Sequence, residues 1–234
     1  MVVPGIRCML AAAVAALITI GPCGSAAAQQ TVALGGGSGI LVGSSTACTL
    51  TTIGYDRGGR LTGLTAGHCA EPGMPVRAEA TPDTGVVGTV AAVDHSDDYA
   101  VIVFDRDRVT PVRRVDATVI AGIGAPPRQG DLVCKNGRTT GVDCGLVWAT
   151  HEWWFQNQVC SRPGDSGGPV TLGDRLVGMN VGHIGTEAIG ITLADLTCRH
   201  PAASGHDPAV AIQIGMVLAA IEQAGGPGAG FQPV

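Results

Sequence analysis

Three separate segments of the chain contain side chains that could cooperate in nucleophilic catalysis. The segment 164–169 (GDSGGP) places Ser166 among glycines, where backbone amides can approach a substrate oxygen without obstruction by side chains. Serine is a weak nucleophile alone, so it needs a base to accept its proton and hydrogen-bond donors to hold the developing oxyanion. His68 in the segment 65–69 (TAGHC) offers that base, and Asp98 in the segment 98–101 (DYAV) offers a carboxylate to orient it.

Each of these segments also has an ordinary structural explanation. A Gly-Asp-Ser-Gly sequence is often only a turn, a single histidine is often structural, and an aspartate before a strand is often a cap. Asp94 and Asp97 lie close to Asp98 in the sequence and are alternatives for the acid. The combination of the three segments, in the order His, Asp, Ser, favours the catalytic interpretation over the structural one.

The composition excludes several other classes of protein. Hydrophobic residues make up 45% of the 234 residues and charged residues only 14%, which argues against disorder and provides for a hydrophobic core. A formal net charge of −5 without a basic stripe argues against a nucleic-acid partner. The single lysine, Lys135, follows no glycine-rich run, which excludes a Walker-type phosphate loop, and the glycine cluster 35–39 lacks the spacing of a dinucleotide-binding loop. We therefore expect no cofactor.

The first 28 residues have the features of a secretory signal peptide. Arg7 precedes an apolar run at 9–20, and a small-residue tract at 25–28 provides a cleavage site. This apolar run is too short to span a bilayer, which needs about twenty residues, so we expect a secreted chain without a stable membrane anchor. Lipid attachment at Cys23 is the alternative, although Pro22 does not fit the small-residue pattern of a lipoprotein signal.

Removal of this segment leaves an even number of cysteines, which indicates disulfides in an exported chain. The six that remain are Cys48, Cys69, Cys134, Cys144, Cys160 and Cys198. Six cysteines allow fifteen pairings, so the sequence pattern alone does not select one. Buried free thiols or a zinc site are the alternatives. The chain contains no Cys-x-x-Cys and no His-Glu-x-x-His, so we expect no metal.

Short β-type segments dominate the rest of the chain. They are apolar, rich in β-branched residues and bounded by Gly, Pro, Asp or Ser, and they lie at 39–43, 60–66, 88–93, 99–104, 132–134, 176–181 and 209–214. Only the segment 216–224 (MVLAAIEQA) predicts a helix, which two glycines end. The pattern predicts an all-β sandwich or barrel with one short C-terminal helix.

The strings TAGHC, DYAV and GDSGGP resemble those of the chymotrypsin-like serine proteases, and the likeness is greatest to the bacterial branch of streptogrisins and α-lytic protease. Two further strings support this branch. The segment 134–145 (CKNGRTTGVDCG) resembles the disulfide hairpin near the start of the second barrel, and Cys160 lies six residues before Ser166, as in this branch. The likeness extends from about residue 39 to residue 225.

The resemblance implies two antiparallel Greek-key β-barrels with the active site in the crevice between them. The N-terminal barrel would comprise residues 29–114 and carry His68 and Asp98. The C-terminal barrel would comprise residues 115–234 and carry Ser166 and the helix. The implied protein is a secreted serine endopeptidase that acts as a monomer on protein or peptide substrates and uses neither a cofactor nor a metal.

The resemblance also assigns a role to each catalytic residue. His68 would be the general base, Asp98 would orient it, and Ser166 would attack the peptide carbonyl to form an acyl-enzyme. The amides of Gly164 and Ser166 would form the oxyanion hole. The match of Asp98 to the family string selects it over its two acidic neighbours.

The structural pairs that the resemblance implies are three disulfides and one buried ion pair. The disulfides would be Cys48–Cys69, Cys134–Cys144 and Cys160–Cys198. Asp165, next to the nucleophile, would be buried and would need a cation. In this branch a cation in the disulfide hairpin supplies it, which points to Lys135, with Arg138 as the alternative.

The substrate pocket would be formed by Val159, Val181, Gly182 and His183. The run 156–161 (QNQVCS) contains no acid, so cleavage after Lys or Arg is expected to be poor. His183 stands where the family usually has a glycine, and it would narrow the entrance in favour of small or medium apolar residues. The alternative is that the long loop after His183 shifts the register and turns this side chain to solvent.

Two other functions fit parts of the sequence. A catalytically silent homologue would bind a protein partner through the same cleft, but such relatives commonly lose a member of the triad, and all three are present here. An esterase would carry its serine in a Gly-x-Ser-x-Gly elbow, which the segment 164–168 superficially fits. The order His, Asp, Ser and the lack of alternating helices contradict that second class.

Overall fold

A computed structural model describes residues 31–183, 187–188, 191–192, 198, 200, 202 and 205–234. The predicted signal segment 1–28, with Cys23, lies outside the described residues. Strands dominate these ranges, and they contain a single α-helix, so the all-β class with a short C-terminal helix is confirmed. Within the same ranges, no helix has the length and apolar character to cross a bilayer.

The first part of the described chain forms a curled, open sheet. Its strands are β1 (Val32–Leu34), β2 (Gly39–Val42), β3 (Thr46–Thr49), β4 (Thr52–Tyr55), β5 (Leu61–Ala66), β6 (Pro75–Ala78), β7 (Val86–Asp94), β8 (Tyr99–Phe104) and β9 (Val109–Pro111). Strands β2 to β8 pair antiparallel in the spatial order β4-β5-β8-β7-β6-β2-β3, while β1 pairs parallel with β9. The sheet therefore forms a half-barrel.

The second part contains a closed barrel. Its elements are β10 (Arg114–Val115), β11 (Thr118–Val119), β12 (Gly122–Ile123), β13 (Leu132–Gly137), β14 (Gly141–Thr150), β15 (Trp154–Asn157), β16 (Pro169–Leu172), β17 (Arg175–His183), β18 (Glu187–Ala188), β19 (Ile191–Thr192), β20 (Ala209–Gln213), α1 (Ile214–Ala224) and β21 (Gln232–Pro233). Six strands close in the order β17-β16-β13-β14-β15-β20, because β20 pairs with both β15 and β17. The helix begins at Ile214, two residues before the predicted segment.

One apolar cluster joins the two sheets and the helix. Its buried members are Leu64, Tyr99, Val101, Ile120, Leu176, Met179, Ile212, Ile214, Val217 and Ile221. Strand β5 is buried along its whole length because it lies between β4 and β8 and its residues pack into two clusters. Burial of this kind stabilises the junction by removing apolar surface from water. The junction therefore fixes the end of β5, after which His68 follows, and the start of β8, which Asp98 precedes.

The C-terminal residues return to the first sheet. Strand β21 pairs antiparallel with β4, so that Pro233 faces Gly54. The buried carboxylate of Asp56 accepts a hydrogen bond from the Gly228 amide at 3.1 Å, and the Arg57 amide donates to the Ala229 carbonyl at 2.8 Å. The sequence prediction included these last residues with the second barrel, whereas their strand belongs to the first sheet.

The contact at Gly54 makes this pairing testable. A Cβ atom at Gly54 would lie 2.0 Å from the Gln232 carbonyl oxygen, so Gly54→Ala must displace the tail. We expect it to lower the free energy of unfolding by about 1–3 kcal/mol, as overpacking does, in urea denaturation. The control is Gly215→Ala in α1, where no atom lies within 4 Å of the added Cβ. It should leave stability unchanged or raise it by about 0.5 kcal/mol. Equal stability of Gly54→Ala and the unaltered protein would show that the tail does not pair with β4.

Candidate active site

His68 lies in a single helical turn, Gly67–Cys69, that follows β5 directly. Cys69 forms a disulfide with Cys48 on β3, which ties this turn to the neighbouring strand. Gly67 is required for close approach, since a Cβ there would lie 2.7 Å from the Asp94 carbonyl oxygen and 2.8 Å from the Tyr99 amide. The turn that holds His68 is therefore packed against the turn between β7 and β8.

Asp98 occupies that second turn and faces His68. Its φ of 47° is in the left-handed region, which aspartate tolerates better than most residues. Asp98 Oδ1 accepts a hydrogen bond from the His68 amide at 2.8 Å, and both carboxylate oxygens lie 3.0 Å from His68 Nδ1. Asp94 instead accepts the amides of Ser96 and Asp97 at 2.8 and 3.0 Å and so closes the turn. Of the three neighbouring aspartates, the structure brings Asp98 to the histidine ring.

This contact determines the state of the imidazole. The hydrogen bond to Asp98 raises the pKa of His68 above its ordinary value, partial burial opposes the shift, and the charge of the carboxylate adds to it. A carboxylate at Nδ1 requires a proton on that nitrogen, so the neutral ring leaves Nε2 as an acceptor. His68 is therefore arranged to accept a proton at Nε2.

The Ser166 loop comes from the second barrel and rests on the first sheet. The Thr49 amide donates to the Ser166 carbonyl at 2.8 Å, and the Thr51 hydroxyl donates to the Gly167 carbonyl at 2.6 Å. A Cβ at Gly167 would lie 2.2 Å from the Thr65 hydroxyl, at the end of the strand that leads to His68. The loop thus packs directly on the end of β5. No hydrogen bond joins Ser166 Oγ to His68, although the structure describes both residues; catalytic hydrogen bonds are often long before substrate binds.

The backbone amides of Gly164 and Ser166 differ from those of the neighbouring loop residues in their hydrogen bonding. The amides of Asp165, Gly167 and Gly168 donate to carbonyls at 2.9, 2.7 and 2.9 Å. Those of Gly164 and Ser166 donate to no acceptor among the described residues. Two backbone donors of one loop without an internal partner can bind a negatively charged oxygen if they point to the same place.

Asp165 is fully buried, and its carboxylate is surrounded by donors. Lys135 Nζ, also fully buried, lies 3.2 Å from Asp165 Oδ2. The amides of Thr139, Thr140 and Arg162 donate to the carboxylate at 2.8, 3.1 and 3.0 Å, and the Thr140 hydroxyl donates at 2.6 Å. Burial lowers the pKa of Lys135, and the charge of Asp165 opposes that shift. The geometry pairs Lys135 with Asp165, the first of the two cations that the sequence suggested.

Arg138, the alternative cation, has a different partner. Its guanidinium binds the carboxylate of Glu79, with Nε 2.6 Å from Oε2. Its amide also donates to the Thr49 hydroxyl at 3.0 Å. Because Glu79 follows β6, this pair connects the hairpin of the second barrel to the first sheet. The hydrogen bond to Glu79 raises the pKa of Arg138.

The disulfides of the described chain are Cys48–Cys69, Cys134–Cys144 and Cys160–Cys198, the pairing that the resemblance implied. The second closes the hairpin of β13 and β14 across directly opposite residues. The third connects the segment before the Ser166 loop to a residue that follows β19. Disulfides stabilise mainly by restricting the unfolded chain, by about 2–4 kcal/mol each.

The predicted pocket residues lie at the ends of β15 and β17. Val159 is fully buried, Val181 and Gly182 are half-buried, and His183 is exposed at the end of β17. Most of the loop that the sequence analysis expected to turn His183 toward solvent lies outside the described residues.

Two residues that sequence reasoning missed lie beside the ends of β15 and β17. His206 and Asp207 are buried, at 7% and 6% exposure, just before Ala209, which pairs with both Asn157 and His183. The Gln158 side chain donates to the His206 carbonyl at 3.0 Å. Asp207 lies outside the acid-free run 156–161 on which the expectation of poor cleavage after Lys or Arg was based. Its isolated position in the sequence gave no signal.

Comparison with known proteins finds similarity in both sequence and fold. No protein-family profile matches the chain. Streptogrisin-D of Streptomyces griseus is 30% identical over 186 residues, which are 71% of this chain and 45% of that protein. The uncharacterised protein Rv1815 of Mycobacterium tuberculosis is 31% identical over 137 residues, which are 52% of this chain and 60% of that protein. The chain thus spans less than two thirds of the length of these curated relatives.

Solved structures share the fold over most of the chain. The crystal structure of Nocardiopsis protease superposes with a TM-score of 0.64 at 22% identity and covers 81% of this chain and 96% of that one. The α-lytic protease homologue N4 superposes with a TM-score of 0.58 at 25% identity and covers 81% of this chain and 97% of that one. The likeness in fold therefore includes both sheets.

The contact between Asp98 and His68 predicts how the histidine titrates. Asp98→Asn removes the charged acceptor, so we expect the pKa of His68 to fall, which NMR titration of the ring would measure. The pKa of His68 is raised in the folded state. The contribution of His68 to the free energy of unfolding is therefore fully present below its pKa in the unfolded chain, and it is lost as the pH rises through its pKa in the folded protein. Asp97→Asn is the matched control and should leave the pKa of His68 nearly unchanged. A similar shift in both variants would mean that general charge, rather than this contact, sets the pKa.

The buried pair predicts a large difference between two cations. Lys135→Met should lower the free energy of unfolding by about 3 kcal/mol, the lower end of the range for breaking a buried pair, since Asp165 keeps four other donors. Arg138→Met, at a partly exposed pair, should cost about 1 kcal/mol or less. Chemical denaturation of both variants makes the comparison. Equal losses would mean that the other donors satisfy Asp165 without Lys135.

Proposed function

We propose that this chain, a relative in sequence and in fold of the bacterial chymotrypsin-like serine proteases, is a secreted serine endopeptidase that acts through His68, Asp98 and Ser166. The observation that carries the proposal is the contact between the His68 turn and Asp98 at one sheet junction, with the Ser166 loop packed on the end of β5, the strand that leads to His68. The activity of the relatives supports the same reaction class. The catalytically silent alternative is not favoured.

The proposed reaction proceeds in two halves. His68 Nε2 accepts the proton of Ser166 as its hydroxyl oxygen attacks the peptide carbonyl, and Asp98 stabilises the imidazolium that forms. The amides of Gly164 and Ser166 donate to the oxyanion of the tetrahedral intermediate. His68 then gives its proton to the leaving amine, which departs and leaves an acyl-enzyme. Water repeats the sequence, with His68 as base, and releases the carboxylic acid and the free serine.

Several features support the finer parts of the proposal. Val159, just after β15, and Val181, Gly182 and His183, at the end of β17, form the proposed wall for the residue before the scissile bond. The buried pair of Lys135 and Asp165 holds that loop from the other side. Three disulfides and the signal-like segment 1–28 support secretion, since disulfides persist in oxidising compartments. The proposed enzyme acts as a monomer, without a cofactor or metal, on protein or peptide substrates.

Active-site labelling tests the proposal directly. A fluorophosphonate probe should label the purified protein, and Ser166→Ala should abolish both labelling and peptide hydrolysis, because the reactive oxygen is gone. Asp98→Asn should lower kcat by about 10⁴-fold, since the imidazole then takes the wrong tautomer. The matched control is Ser161→Ala, a buried serine five residues away, which should keep the label. Undiminished labelling of Ser166→Ala would reject the nucleophile.

A further inference from the structure

The orientation of the two oxyanion-hole amides has an identifiable structural cause, and the inference drawn from it rests on the proposed function. A trans peptide unit is planar, and its C=O and N–H point in opposite directions. The described chain has no cis peptide. A hydrogen bond that holds one carbonyl oxygen therefore also directs the N–H of the following residue. The relevant carbonyls are those of Pro163, which precedes Gly164, and of Asp165, which precedes Ser166.

The Pro163 carbonyl is held by a side chain of the disulfide hairpin. Thr139 Oγ1 donates to the Pro163 oxygen at 2.9 Å. The same hydroxyl lies against the next residue, because a Cβ at Gly164 would be 2.4 Å from Thr139 Oγ1. Gly164 also has a φ of 99°, a conformation that side chains disfavour. Thr139 thus fixes the peptide unit that carries the Gly164 amide.

The Asp165 carbonyl is held by a buried side chain of β17. Asn180 Nδ2 donates to the Asp165 oxygen at 3.2 Å, alongside the Gly168 amide at 2.9 Å. The same nitrogen also donates to Ser161 Oγ at 2.9 Å. These bonds hold the peptide unit that carries the Ser166 amide. The Asn180 backbone holds the loop separately, through its carbonyl to the Gly167 amide and its amide to the Gly168 carbonyl.

The position of Asn180 has an energetic cost that packing alone does not explain. The residue is fully buried, and its Oδ1 atom has no hydrogen-bond partner among the described residues. A buried acceptor without a partner is destabilising, and an apolar side chain would avoid that loss. The benefit that offsets this loss is the orientation of the Asp165 peptide.

We infer that Thr139 and Asn180 are positioning residues that preorganise the oxyanion hole, Thr139 for the Gly164 amide and Asn180 for the Ser166 amide. Donors that already point at the developing charge need no reorganisation during the reaction. The two side chains come from different elements, the β13–β14 hairpin and β17, and act on different peptide units. Neither side chain is hydrogen-bonded to His68 or Asp98 among the described residues, so we expect their effect on the rate to be separate from that of the triad.

The Thr139 series is the primary test, because this side chain is exposed and its variants should fold. Loss of an oxyanion-hole donor lowers kcat by about 10²–10³-fold, so misorientation of one donor should lower it about tenfold. We expect this for Thr139→Val, with KM nearly unchanged, and full activity for Thr139→Ser, which keeps the hydroxyl. The inhibition constant of a peptide aldehyde, whose adduct places an oxyanion in the hole, should rise by the same factor as kcat/KM falls.

Four further measurements separate positioning from a structural role. The pKa of His68 in the pH dependence of kcat/KM should not change in Thr139→Val, nor should the midpoint of urea unfolding. Asn180→Leu should lower kcat about tenfold, whereas Ser161→Ala, which removes the other acceptor of Asn180 Nδ2, should not. The double variant Thr139→Val/Asn180→Leu should lose about a hundredfold, because separate effects multiply.

The outcomes distinguish this inference from the proposed function. Full activity and unchanged aldehyde inhibition in Thr139→Val and Asn180→Leu, with an active parent enzyme, would overturn the inference and leave the protease assignment intact. Equal loss in Thr139→Val and Thr139→Ser would also overturn it. Failure of the parent protein to react with fluorophosphonate or cleave any peptide of a panel would instead overturn the proposed function.

Discussion

The carboxylate of Asp165 is excluded from water, and the Ser166 loop is built around satisfying it. A buried charge without partners destabilises a protein by many kcal/mol, so the groups around this carboxylate must donate hydrogen bonds to it. The chain supplies a lysine ammonium, a hydroxyl and three backbone amides, two of them from the hairpin between β13 and β14. The hairpin approaches so closely that a Cβ at Gly137 would lie 2.3 Å from the carboxylate. The conformation of the loop around Ser166 thus follows from one electrostatic requirement.

The same loop also joins the two sheets. Thr49, fully buried at the end of β3, donates its hydroxyl to the Gly164 carbonyl at 2.9 Å and its amide to the Ser166 carbonyl at 2.8 Å. Its own carbonyl accepts the Thr65 hydroxyl from β5 at 2.8 Å. One residue of the first sheet, Thr49, therefore binds both the Ser166 loop and the strand that leads to His68. The alignment of groups from two separate sheets depends on this small polar contact within an apolar junction.

The sequence predicted those features whose signals are local. Apolar, β-branched segments bounded by turn residues located β5, β8 and β17, and the helix was placed to within two residues. Strand β15 (WFQN) was missed because its buried Asn157 is polar; the side-chain oxygen of that residue accepts the Val159 amide at 3.2 Å. Nothing local marks Thr49 or Asn180 as loop-holding residues, since both lie in ordinary strand sequence. Their partners are distant in the sequence, and only the tertiary fold identifies them.

The return of β21 to the first sheet has a consequence for the order of folding. Strand β4 lies at the edge of that sheet until residues 232 and 233 pair with it. Contacts between residues so distant in sequence form slowly, because a long loop must close first. On the ribosome, which releases the N-terminal half first, the first sheet cannot be completed until residues 232 and 233 have emerged. Strand β5, which pairs with β4 and leads to His68, would thus be synthesised early and lie next to an open sheet edge until those two residues are added.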